Sequence, residues 1–142
     1  MSRISIVMDS LSENISFARV AVTAFIAPLD PSVEEVTEIK TAVSEAVTNA
    51  VIHGYNNQGS QGKVRLNLLA QDRTITIEVA DDGIGIEDID TARQPLYTTK
   101  GEMERSGLGF TVMESFMDTV SVESALGEGT TVTMTKTLKR QE

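Results

Sequence analysis

The chain has no cysteine and a single histidine, His53. The first absence excludes disulfides and thiolate metal sites, and one histidine cannot assemble a zinc cluster. Any metal must be held by oxygen ligands, which favours Mg²⁺. Long apolar runs are missing too: the stretches around Val20–Leu29 and Val47–Ile52 are too short or too interrupted to span a membrane. The N-terminus lacks the basic-then-apolar layout of a signal peptide, so a cytoplasmic location is expected. Basic charge is scarce, with 12 Lys and Arg against 21 Asp and Glu and a net charge of −9. Direct contact with nucleic acid is disfavoured, because neutralising phosphates needs a basic surface, and basic protein partners fit better. The same acidity also serves simply to keep a soluble protein apart from its neighbours.

What remains is 142 residues, 40% of them hydrophobic, which suits one domain with one core. Alternation over Arg3–Met8 predicts a half-buried strand at a sheet edge. Ser10 with Glu13 reads as a capping box opening a helix that runs to about Ala27, before Pro28. That helix is apolar on two sides, one through Leu11, Ile15, Val22 and Ile26 and the other through Phe17, Val20 and Ala24. Asp30 then Pro31 predicts the start of a second helix, ending at His53 before Gly54. Lys63–Leu69 and Thr74–Ala80 predict a hairpin, and a polar, aperiodic segment over 87–106 reads as a lid or a disordered stretch, with a helical turn possible over Asp88–Ala92. A helix over Gly107–Phe116 and strands over Thr119–Ser124 and Gly129–Leu138 complete the domain.

Three motifs fall in fixed order: EAVTN over 45–49, DDGIG over 81–85 and GLG over 107–109. On a helix, Glu45, Asn49 and His53 lie within about 80° of one another beside the apolar arc of Ile39, Val43, Ala46 and Val47, so they border a cleft. Taken alone, the same spacing also suits an ordinary polar helix boundary. Asp81 sits at a strand end, where it can accept a hydrogen bond from an adenine amino group while Gly83 and Gly85 let backbone approach a flat ligand; a tight turn explains the glycines equally well. Gly107 and Gly109 open a helix after Ser106, where free amides would face an anion, or merely cap the helix. Lys100 and Arg105 in the lid can reach phosphate oxygens, and Thr98 and Thr99 can donate hydroxyl hydrogen bonds. Thr130, in the GEGTT run over 127–131, can lie beneath the purine, though a hairpin turn explains the glycines of that run equally well. Together the motifs supply a carboxylate, a metal-binding amide, a purine-reading aspartate and glycines for phosphate, a set that reads as binding and use of ATP. Arg19, between Ile15, Val22 and Ile26, either snorkels past the core or anchors a partner protein.

In order and spacing, EAVTN, DDGIG and SGLGF resemble the asparagine box and the two glycine boxes of the GHKL ATP-binding superfamily, over nearly the whole chain. More narrowly, SEAVTNAVIHGY over 44–55, PLYTTK over 95–100 and ERSGLGF over 104–110 resemble the sporulation anti-sigma F factors. The resemblance implies a two-layer α/β sandwich of the Bergerat type over residues 1–142, with helices on one face of a mixed, mostly antiparallel sheet, an ATP lid at about 87–106, and a homodimer. It implies Asn49 as the Mg²⁺ ligand, Glu45 as the group that orients or deprotonates the attacking hydroxyl, and Asp81 as the adenine reader. Gly83 and Gly85 would flank the base, with Gly107 and Gly109 at the phosphates beside Ser106 and Leu108. The activity implied is transfer of phosphate from MgATP to a Ser of an anti-anti-sigma partner, together with sequestration of the sigma F factor, without nucleic-acid or membrane contact. A stress-response-type anti-sigma kinase, or a sigma-binding module that holds ATP without kinase activity, stays open. An ATPase switch would be expected to carry transducer domains, and a histidine kinase a phosphoacceptor hairpin upstream.

Overall fold

Alternating burial makes the sheet. In the computed structural model, which describes residues 1–54, 62–83, 108–125 and 129–140, Val64, Leu66, Leu68 and Ala70 of β2 (Lys63–Gln71) point inward. Ile75, Ile77, Val79 and Asp81 of β3 (Thr74–Asp81) do the same. A two-residue turn joins these strands, with Asp72 at φ 55°, a left-handed conformation that Asp tolerates better than most side chains. The other strands are β1 (Ser2–Asp9), β4 (Thr119–Ala125) and β5 (Gly129–Thr137), in the order β1-β2-β3-β5-β4. Every pairing among the described residues is antiparallel, so the mostly antiparallel sheet expected is wholly so there. β1 lies at an edge, as its short alternating pattern predicts.

Among the described residues three helices cover the inward face: α1 (Glu13–Ile26), α2 (Val33–Thr48) and α3 (Leu108–Phe116). α2 lies between the other two in contact, and its Ile39, Val43, Ala46 and Val47 are buried against Val22 and Ile26 of α1, Met113 of α3 and the sheet. Each fully buried aliphatic side chain of this size contributes about 1.5–3 kcal/mol. The second apolar side of α1 remains in solvent, with Phe17 49% and Val20 65% exposed. No helix of the described residues is long and apolar enough to cross a membrane.

Both helix starts differ from expectation. Ser10 does not cap α1: its Oγ is buried without a hydrogen-bond partner among the described residues, and Ser12 holds the cap position without a side-chain bond. Asn14 instead reaches back, donating Nδ2 to the Asp9 carbonyl at 2.8 Å. Asp30 does not open α2, because its left-handed φ of 51° terminates a 3₁₀ turn over Ala27–Leu29. The opening falls two residues later on an extended Ser32. Its Oγ accepts from the Glu35 N–H at 3.1 Å, while Glu35 Oε1 accepts from the Ser32 N–H at 2.9 Å. This is a full capping box, and a Ser-x-x-Glu signature outcompetes Asp-Pro because it satisfies two orphan donors reciprocally.

Candidate functional site

Glu45 and Asn49 stand one helical turn apart at the C-terminal end of α2, where the helix widens and continues as a π-helix over Asn49–Gly54. The Asn49 N–H is shared between the Ala46 and Glu45 carbonyls, marking the transition. Such widenings re-aim side chains and recur at functional sites. The pair borders the core, as the helix geometry predicts, with Ala46, Val47 and Ala50 buried beside it. Gly109, in the first turn of α3, packs directly on both. A Cβ at Gly109 would stand 3.3 Å from Glu45 Oε2, 3.5 Å from Asn49 Nδ2 and 3.7 Å from Asn49 Oδ1. Two motifs separated by some sixty residues thus converge on one point. Burial pushes the Glu45 carboxyl above its ordinary value, and no described residue donates to it.

Asp81 ends β3 on the helix face, 5% exposed, opposite Thr130 of β5. Its Oδ1 accepts from the Gly83 N–H at 2.9 Å, closing a tight turn. Burial pushes this carboxyl up; the Gly83 and Thr130 N–H groups pull it down in part, and the charges of Asp82 and Arg65 act in opposite directions. Beside it, Thr130 Oγ1 and Ser124 Oγ lie 2.7 Å apart, and Ser124 Oγ donates to the Gly129 carbonyl. Gly129 has φ 84°, and a Cβ there would fall 2.1 Å from the Asp81 carbonyl oxygen, so β5 can enter the sheet here only without a side chain.

The donor set suits a hard cation: Asn49 offers an amide oxygen and Glu45 a carboxylate, both oxygen ligands of the Mg²⁺ type. Among the described residues no group of three or more His, Cys, Asp or Glu could hold a metal. Gly85, Thr98, Thr99, Lys100, Arg105, Ser106 and Gly107 lie outside the described residues, as do the lid over 87–106 and the turn over Asp88–Ala92. Leu108 begins α3, and its side chain and that of His53 also lie outside them. Arg19 stands apart on α1, exposed, with Nη2 donating to Ser16 Oγ at 3.2 Å. Sequence reasoning missed Arg65, Ser124 and Gly129, whose relation to Asp81 and Thr130 appears only once strand register is known.

The match to known proteins follows the geometry. Residues 8–136 match the family model of the histidine kinase-like ATPase domain. The fold agrees with solved structures: the RsbU and RsbW domains of Rv1364c from Mycobacterium tuberculosis superpose with a TM-score of 0.71 at 22% identity, covering 99% of this chain and 34% of that longer one. The catalytic domain of histidine kinase ThkA gives 0.58 at 17% identity over 97% of each chain. Fold and site together therefore define a histidine kinase-like ATPase domain. Among curated relatives, anti-sigma F factor of Oceanobacillus iheyensis is 55% identical over 99% of this chain and 96% of its own length. That of Bacillus subtilis is 54% identical over 94% and 91%, and that of Geobacillus stearothermophilus 60% identical over 88% and 85%. The chain belongs to the anti-sigma F factor family.

Proposed function

We propose that the chain is a cytoplasmic anti-sigma kinase that sequesters the sporulation sigma F factor and transfers the γ-phosphoryl group of ATP to a Ser hydroxyl of an anti-anti-sigma partner, inactivating that partner. The observation that carries this reading is the convergence of Glu45 and Asn49 on Gly109, which brings an amide and a carboxylate without a partner among the described residues to the start of a helix. In the transfer, the Ser oxygen forms a bond to phosphorus, the bond to the ADP leaving oxygen breaks, and the hydroxyl proton passes to Glu45. A carboxyl raised by burial is better matched to that proton than a solvated one. Asn49 would hold Mg²⁺, which supplies charge neutralisation at the phosphates. Asp81, keeping one oxygen on Gly83, offers the other to the adenine amino group, with Thr130 beside the base. Gly83 and Gly85 leave room for the ring. Gly107 and Gly109, with Ser106 and Leu108, present the helix start to phosphate, and a lid over 87–106 brings Thr98, Thr99, Lys100 and Arg105 onto it.

Arg19 with Phe17 and Val20 forms an exposed mixed patch suited to a protein partner, and we assign Arg19 to partner binding. The outer edge of β1, unpaired among the described residues, and the 44% exposed Ile4 support a homodimer. The test mixes purified protein with radiolabelled ATP, a candidate anti-anti-sigma protein and sigma F. Label on the partner's Ser and co-elution with sigma F are expected. Release of free phosphate without label transfer would sink the kinase reading, and co-elution without transfer would leave a nucleotide-dependent binding module. Arg19→Ala is expected to keep ATP binding and lose partner affinity, read by titration calorimetry.

A further inference from the structure

The turn that carries Asp81 is held from outside by a clamp. Asp81 and Asp82 are adjacent, so strand alternation sends their side chains to opposite faces: Asp81 toward the helices, Asp82 to the open face of the sheet. On that open face, Arg65 of β2 stands opposite Ala80 and reaches diagonally past the strand end to Asp82. The contact is a fork, with Nη1 to Oδ2 at 2.7 Å and Nη2 to Oδ1 at 3.2 Å. Paired guanidinium and carboxylate planes fix orientation as well as distance. The stretch from Asp81 to Gly83 is pinned twice more: the Gly83 N–H on Asp81 Oδ1, and Gly129 packed against the Asp81 carbonyl.

We infer that Arg65 is a positioning residue for purine recognition, acting through Asp82 to hold Asp81 in the orientation that reads the base. This rests on the reading of Asp81 as the adenine acceptor. The Asp81 carboxylate accepts from the Gly83 N–H and is held in part by the Thr130 N–H, so its direction depends partly on the path of the backbone from Asp81 to Gly83. Without the clamp, the hold of Arg65 on the outer side of that path is lost. Arg65 also offsets the Asp82 charge, which otherwise disfavours an ionised Asp81 a residue away. The guanidinium therefore holds Asp81 in its orientation without touching the ligand.

The fork is largely solvated, with 39% and 66% of the two side chains exposed, so its contribution is that of a well-formed surface pair. The experiment compares calorimetric affinity for ATP and for inosine triphosphate, which lacks the exocyclic amino group, in wild type, Arg65→Ala, Asp82→Ala, the double variant and Asp81→Asn. Circular dichroism checks that each is folded. Arg65→Ala is expected to narrow the ATP-to-inosine-triphosphate preference about two- to fivefold, Asp82→Ala to match it, and the double variant to add nothing further. Equal weakening for both nucleotides, or additive effects in the double variant, overturns the clamp as a device for base readout. An unchanged preference in Arg65→Ala alongside a lost preference in Asp81→Asn overturns the clamp and leaves the adenine reading standing. An unchanged preference in Asp81→Asn overturns both.

Discussion

The two ends of α2 each carry a glutamate, and the two behave in opposite ways. Glu35, only 7% exposed, has its carboxyl held below the ordinary value, while the half-buried Glu45 is pushed above it. Burial alone raises both. At Glu35 it is outweighed by the Ser32 N–H and hydroxyl, by the Lys139 N–H at 2.9 Å and by the Lys136 charge. Glu45 has no such donors among the described residues. Donors, and not depth, separate the lowered carboxyl from the raised one on the same helix. The N-terminal end is a closed knot: Lys136 bonds both Glu38 and the Phe116 carbonyl, and Arg73 donates to the carbonyls of Leu138 and Lys139. At the C-terminal end, where the helix widens, no comparable set of bonds to Glu45 occurs among the described residues.

The comparison breaks most decisively at Glu45. Glu45→Ala is expected to lower the rate of phosphoryl transfer about 10²- to 10⁴-fold with nucleotide affinity retained. Because the carboxyl is raised, the proton-accepting form is lost on acidification at a pH above 4.5, the ordinary glutamate value. The acid limb of the wild-type rate should therefore lie above 4.5 and vanish in Glu45→Gln. A variant that transfers phosphate at near wild-type rate removes the base role. Asn49→Ala is expected to weaken MgATP binding about tenfold, roughly 1.4 kcal/mol, while leaving metal-free nucleotide binding unchanged. Equal affinities with and without Mg²⁺ in wild type and variant would count against Asn49 as the ligand.

At the other end the effect is on stability. Glu35→Ala removes a capping box and the anchor of Lys139, at a cost of about 1–3 kcal/mol in urea unfolding, with the transfer rate of the folded fraction unchanged. The sign with pH is set by the lowered carboxyl: its contribution is complete above 4.5 and declines as pH falls below that value through the folded one. The gap between wild type and Glu35→Ala should close on acidification. A gap independent of pH would mean that packing, not the ionised carboxylate, is responsible.

Much of this was legible in the chain. Alternation placed the five strands of the described residues, and the i, i+4 spacing of Glu45 and Asn49 placed them at the border of the core, because both signals depend on local geometry alone. The opposite fates of Glu35 and Glu45 were not legible. Nothing local marks Glu35 out, since its second donor, Lys139, lies 104 positions away and meets it only through the register of β5. Gly129 and Arg65 were hidden for the same reason. Capping was misplaced at Ser10 and Asp30 because cap signatures recur within a few residues, and the neighbouring backbone decides which one operates.

Ser10 gives the smallest test of the same contrast. Like Glu35 it is buried, at 1% exposed, but its hydroxyl has no partner among the described residues, whereas its backbone N–H donates to the Gly62 carbonyl at 3.0 Å. A buried hydroxyl without a partner carries a desolvation penalty and returns nothing for it, so removing the oxygen while keeping Cβ should relieve the fold. Ser10→Ala is therefore expected to raise stability slightly, by about 0.5–1 kcal/mol, in the direction opposite to Glu35→Ala. Thermal unfolding of the two variants side by side decides it. A loss of more than about 1 kcal/mol in Ser10→Ala would restore Ser10 as the cap of α1 and would make partnership, at both positions, the rule for buried polar groups in this domain.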